Sequence, residues 1–142
     1  MGAFLFIMKT PEWMKPIIRN GRYETMKFIM SNPTDKRVIN QLLGCNHNKI
    51  RKHIESQFQP GMTWDNHGWW HIDHIKPLST AKTEKQLMMR FRWQNLRPLW
   101  REANLRKKNG SIPDEQLNEI NNRMADGYRK YLEHEQSNSI IP

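Results

Sequence analysis

Four side chains carry the reactive chemistry in this sequence: Asp73 and His74, which are adjacent, then Asn95 and Asn104. The Asp73 carboxylate and the Asn104 amide oxygen are hard donors, suited to Mg²⁺ or Mn²⁺ rather than to zinc. An imidazole ordinarily titrates near about 6.5, so His74 suits a general base that takes a proton from water near neutral pH. In an extended strand Asp73 and His74 point to opposite faces. That separation suits two tasks, a metal on the leaving-group side of a phosphate and placement of the attacking water.

The charge supplies a partner for such chemistry. The chain has 142 residues and a formal net charge of +9, which points to a polyanion, nucleic acid before anionic membrane. Thirteen basic residues against five acidic ones fall in residues 46–110, while residues 111–142 carry three against six. The basic run Arg90, Arg92, Arg97, Arg101, Arg106, Lys107, Lys108 is opposed only by Glu102. We expect Arg97, Arg101, Arg106, Lys107, Lys108 and Lys76 to contact phosphates of double-stranded DNA, making binding steeply salt-dependent.

Several classes are excluded or disfavoured. The single Cys45 rules out an internal disulfide framework and a zinc site of paired CxxC knuckles. It points to a reducing, intracellular setting, the host cytoplasm if the protein is viral. No apolar run approaches the roughly 18 residues of a membrane span. The apolar opening, residues 2–8, lacks the flanks of a signal peptide and reads as a docking strand. His47 and His53 with Cys45 fit no standard ligand spacing and read as surface or helix-packing residues. His67 reads as a solvated turn residue. His71 shares a strand face with Asp73; a packed, hydrogen-bonded role is favoured, with metal or DNA contact as the other reading.

The elements that must position these residues follow from periodicity. Thr10 and Pro11 start a helix that Pro16 bends or shortens and Gly21 ends. Tyr23, Met26 and Met30 suggest a second helix, and Pro33-Thr34-Asp35 starts a third that Gly44 stops, with Val38, Ile39, Leu42 and Leu43 on one face. A fourth, from about Asn46 to Phe58, buries Ile50, Ile54 and Phe58. Beyond Pro60-Gly61, Met62–Trp64 and Trp69–Ile75 read as a β-hairpin around Asp65–Gly68. Helix is expected around Glu84–Phe91, and Leu96–Trp100 reads as an edge strand because of Pro98. A short helix from Glu102 to Lys108 follows. A long amphipathic helix from Ser111 to His134 carries Leu117, Ile120, Met124, Tyr128 and Tyr131 on one side, with residues from Glu135 frayed.

The Asp-His…Asn…Asn pattern, with its preceding hairpin and following basic helix, resembles the HNH family of ββα-metal nucleases. Residues 43–58, 61–64, 70–78 and 95–107 resemble phage-type members in particular. The resemblance implies an α+β fold with a small ββα-metal (His-Me finger) core over residues 45–110. Helices would flank it, an N-terminal region at 1–44 and a C-terminal helix and tail at 111–142. It implies Asp73 and Asn104 as ligands of one Mg²⁺ or Mn²⁺, His74 as general base, and Asn95 bracing the His74 ring and the intervening loop. The family's Asn-x-x-Lys ending is matched by Asn104 and Lys107. The final histidine of the family motif is Asn here, an HNN variant, and the structural zinc cysteines of many relatives are absent. Packing must replace that zinc, and Trp64, Trp69, Trp70, Trp93 and Trp100 read as a core cluster that does so. The expected activity is metal-dependent DNA endonucleolytic hydrolysis leaving a 5′-phosphate. A non-catalytic DNA-binding or phage packaging-accessory module is the alternative from another class. Two-strand cutting would favour a homodimer, and the terminal helices offer a surface for a viral partner.

Overall fold

In the computed structural model, which describes residues 11–31, 37–107 and 111–140, helix α1 runs unbroken from Met14 to Ser31. Neither Pro16 nor Gly21 interrupts it, contrary to the two short helices expected. Pro16 is the third helical residue, where a backbone N–H has no acceptor within the helix, so its absence costs nothing there. Gly21 is kept for space rather than as a stop. A Cβ at that position would lie 2.4 Å from Phe91 Cζ. The buried stripe is Met14, Ile18, Thr25, Phe28 and Ile29, and Tyr23 faces solvent. The expected apolar strand at residues 2–8, the Thr10 cap and the Pro33-Thr34-Asp35 helix start lie outside the described residues.

Helix α2 (Arg37–Leu43) ends at Gly44, whose φ of +74° is the left-handed stop expected of it. Helix α3 (His47–Glu55) is capped by Asn46, whose Oδ1 accepts from the Lys49 amide at 2.9 Å. It buries Ile50 and Ile54 completely and stops before Phe58. Helix α4 (Glu84–Arg90) is capped by Thr83.

Strands β1 (Trp70–His74) and β2 (Leu96–Trp100) form a two-stranded sheet. Bonds from Ile75 N to Asn95 O and from Arg101 N to Trp69 O fix an antiparallel register. Pro98 therefore falls in a pair that exchanges no hydrogen bonds, which suits its missing N–H. The expected hairpin is not formed, because Met62–Trp64 is not a strand. Side chains have taken both backbone groups of Thr63: its N–H donates to Asn66 Oδ1 at 2.8 Å, and its carbonyl accepts from the Trp70 indole at 2.8 Å. Such side-chain bonds compete directly with a strand ladder. Helix α5 (Arg101–Arg106) follows β2, and helix α6 (Asp114–Ile140) continues past the fraying point expected at Glu135.

Contacts divide the described residues into two units, neither continuous in sequence. The first takes residues up to Ile54 and His74–Arg97; its core joins Met14, Ile18, Leu78, Ala81, Leu87 and Phe91. Each such large aliphatic or aromatic side chain contributes about 1.5–3 kcal/mol on burial. The second takes Glu55–Asp73 and Pro98 onward, with Trp70 and Trp100 fully buried. Trp64 and Trp70 make an edge-on triangle with Phe58, Trp69 packs with Tyr128 and Tyr131, and Trp93 meets His53. No helix among the described residues is long and apolar enough to cross a membrane.

Candidate functional site

In the second unit, Asp73 is the one charged residue that is buried among those described, at 5% exposure. A buried carboxylate must be compensated, and Lys107, the residue that follows α5, supplies a cation: its Nζ lies 2.5 Å from Asp73 Oδ1. The Lys107 side chain is itself only 9% exposed. Alternation along β1 gives His71 the same face as Asp73. Asn104, on α5, donates its amide N–H to His71 Nδ1 at 3.1 Å. That contact makes Nδ1 an acceptor and puts the ring proton on Nε2. Burial, then the nearby Arg101 cation, lowers the His71 pKa, so a neutral ring is favoured. Asp73 thus meets Lys107, and Asn104 meets His71.

These residues fit a divalent ion by chemistry. A buried carboxylate already requires a cation beside it, and its strand face also carries a neutral imidazole. With its nitrogen on His71, the Asn104 amide keeps its oxygen as a hard donor. Among the described residues no three His, Cys, Asp or Glu side chains converge as a ligand cluster, so an ion here would depend on Asn104 as well as Asp73.

In the first unit, His74 is half-buried, its Nε2 is enclosed by protein, and its ring stands perpendicular to Phe91 at 5.8 Å between centroids. Asn95 ends a 3-10 turn (Trp93–Asn95) just before β2. Its Oδ1 accepts from Lys76 N at 2.8 Å, and its Nδ2 donates to the carbonyls of Lys76 and Arg90 at 3.0 and 2.8 Å. Its own carbonyl accepts from Ile75 N. Asn95 therefore fastens the backbone on both sides of the loop that follows His74.

The expected DNA-contact residues separate. Lys76 and Arg101 are exposed and Arg97 is half-buried. Arg106 pairs with Glu102 at 2.8 Å, and Glu102 also pairs with Arg123 of α6. Lys107 faces Asp73 rather than solvent. Lys108 lies outside the described residues. His47 and His53 are packing residues, with ring nitrogens near the Ile29 carbonyl (3.3 Å) and the Leu96 carbonyl (2.9 Å). His67 is not solvated as expected. It packs edge-on against Trp70 at 4.9 Å, and burial is the main cause of its lowered pKa. Sequence reasoning missed two features: the Asp73–Lys107 pair, and a groove lined by Lys76, Arg90 and Arg92. The spacing of Lys107 from Asn104 marked the lysine but not its direction.

No protein-family model and no solved structure matches the chain. It is 36% identical over 95 residues to the uncharacterized protein L246 of Acanthamoeba polyphaga mimivirus, a match covering 65% of this chain and 40% of that protein. It is 34% identical over 105 residues to the uncharacterized protein L426 of the same virus, covering 72% and 44%. The chain spans less than half the length of these curated relatives.

Proposed function

We propose that this chain is a metal-dependent endonuclease that hydrolyses phosphodiester bonds in double-stranded DNA, with β1, β2 and α5 as its ββα-metal elements. The observation that carries this reading is the buried Asp73 carboxylate immediately before His74 in β1, with Asn95 fastening the backbone of the loop that follows. Asp73 and Asn104 would hold one Mg²⁺ or Mn²⁺, with His71 on the same strand face. When bound, the ion supplies charge neutralisation at the scissile phosphate and the departing oxygen.

The remaining roles fall to the chain's own groups. His74 takes the proton of the attacking water. Phe91 holds the plane of the ring by its edge contact. Asn95 keeps the following loop in place through Lys76 and Arg90. The cations Lys76, Arg97 and Arg101 hold the DNA backbone.

One observation favours the second reading, a non-catalytic DNA-binding or packaging-accessory module: Lys107 already satisfies Asp73. Supercoiled plasmid incubated with Mg²⁺, Mn²⁺ or EDTA separates the two. The nuclease reading expects nicked or linear product that needs metal and falls about a thousandfold in His74→Ala. Salt-sensitive binding with no conversion under either metal assigns the binding module instead.

A further inference from the structure

The groove in the first unit is lined by an arginine, two of whose nitrogens have no hydrogen-bond partner among the described residues. These are Arg90 Nε and Nη1, both enclosed. A guanidinium stays charged at any ordinary pH, and leaving its N–H groups enclosed without an acceptor is costly. The groove that Arg90 lines has a volume of about 600 Å³. Its other polar walls are Lys76, Arg92, Gln86, Gln94 and Asn95, with no carboxylate among them. Arg92 Nη1 donates to the Gln41 carbonyl at 3.3 Å, which fixes the arginine without neutralising it. Asn95 bonds the backbones of Lys76 and Arg90 together, so the two cations are set on one rigid frame.

We propose that this groove is a phosphate site, with Arg90, Lys76 and Arg92 supplying its positive charge and no carboxylate among its lining residues to oppose them. A tetrahedral oxyanion presents acceptors in several directions at once, which suits donors converging from α4, from the loop after His74 and from the turn before β2. The phosphate is a backbone phosphate of the DNA strand, held two residues along the chain from His74; this source rests on the nuclease reading, whereas the phosphate chemistry does not. Arg90 and Lys76 act here as positioning residues.

Two arms test it. In the first, inorganic phosphate is titrated into the full chain while the Arg90 Nε–H resonance is followed by NMR. In the second, binding of a labelled duplex is measured in EDTA, so that cleavage plays no part. Arg90→Ala should weaken duplex binding about tenfold and reduce the salt slope by about one. Arg90→Lys keeps the charge and the aliphatic stem and should fall between the two. Lys130→Ala, which removes an equal charge from α6, should stay within about twofold.

Loss of duplex affinity in Arg90→Ala and Arg90→Lys, with an unchanged fold by circular dichroism, supports the proposal. So does a phosphate-dependent shift of the Arg90 resonance. If Arg90→Ala fails to fold, the decision passes to Arg90→Lys. A phosphate response with duplex binding indifferent to both variants overturns the DNA source and leaves a free-phosphate site. No response in either arm overturns the site itself. If the wild type binds no duplex, the nuclease reading fails, and the phosphate arm alone decides the groove.

Discussion

Arg90 and Lys107 belong to the same basic run of sequence, yet they meet opposite circumstances. Lys107, in the second unit, has its ammonium against the buried Asp73 carboxylate. Arg90, in the first, has two enclosed nitrogens with no acceptor among the described residues and lines a groove without a carboxylate. Charge density along the sequence does not distinguish them. What separates them, among the described residues, is whether a carboxylate stands beside the cation: one does for Lys107, and none lines the groove of Arg90. The pattern extends to their neighbours. Glu102 neutralises Arg106 and Arg123 in the second unit, whereas the groove in the first has no carboxylate among its lining residues.

The comparison breaks most sharply at Lys107. Truncating it should leave an uncompensated buried carboxylate, so Lys107→Ala should lose about 3–5 kcal/mol in urea unfolding. The double variant Asp73→Asn/Lys107→Met should recover most of that, because no charge is then buried alone. If the cation requirement at Asp73 is the feature that matters, Mn²⁺ should raise the melting temperature of Lys107→Ala more than that of the wild type. Indifference to Mn²⁺ in both proteins would leave Lys107 as a purely structural partner.

A smaller effect is expected from the other side of the comparison. Gly21→Ala places a methyl group 2.4 Å from the Phe91 ring, and such overpacking costs about 1–3 kcal/mol. Phe91 also follows Arg90 and supports His74. The variant should therefore lower duplex affinity as well as stability, while leaving the second unit's Asp73–Lys107 pair in place. Stability loss with unchanged affinity would separate the groove from the helix that backs it.

The smallest effect is a pH dependence in the second unit. Burial lowers the His67 pKa below its ordinary 6.5, so the unfolded chain takes up a proton more readily than the folded one. The stabilisation is complete above about pH 6.5 and is lost as the pH falls through the lower folded value. The melting temperature should drop between about pH 7.5 and about pH 5, and His67→Asn should flatten part of that drop. An identical slope in the variant would assign the dependence elsewhere.

Local features were legible in the sequence. Gly44 marks a stop, Asn46 caps a helix, and Ile50 and Ile54 fall on its buried side because these depend on residues within a turn of one another. The edge character of Leu96–Trp100 follows from Pro98 alone. What the sequence hid was non-local. Trp70–His74 finds its partner beyond a helix and two 3-10 turns, while the nearer segment is held by Asn66. Gly21 reads as a stop until Phe91, far along the chain, is seen against it. The four motif residues were named from the sequence by type, and Asn95 as a brace of the loop after His74. The contacts of Asn104 with His71 and of Phe91 with His74, the direction of Lys107 and the enclosure of Arg90 were not legible. These depend on which side chains the fold brings alongside.

The most direct test of the central claim is single-turnover cleavage of an end-labelled DNA duplex in Mg²⁺ by the wild type and by His74→Ala, with and without added imidazole. Rapid cleavage by the wild type is expected, and a rate about a thousandfold lower in the variant. Imidazole should partly restore that rate by replacing the missing base. Equal rates in the two proteins, or no metal-dependent cleavage by the wild type, would contradict that claim.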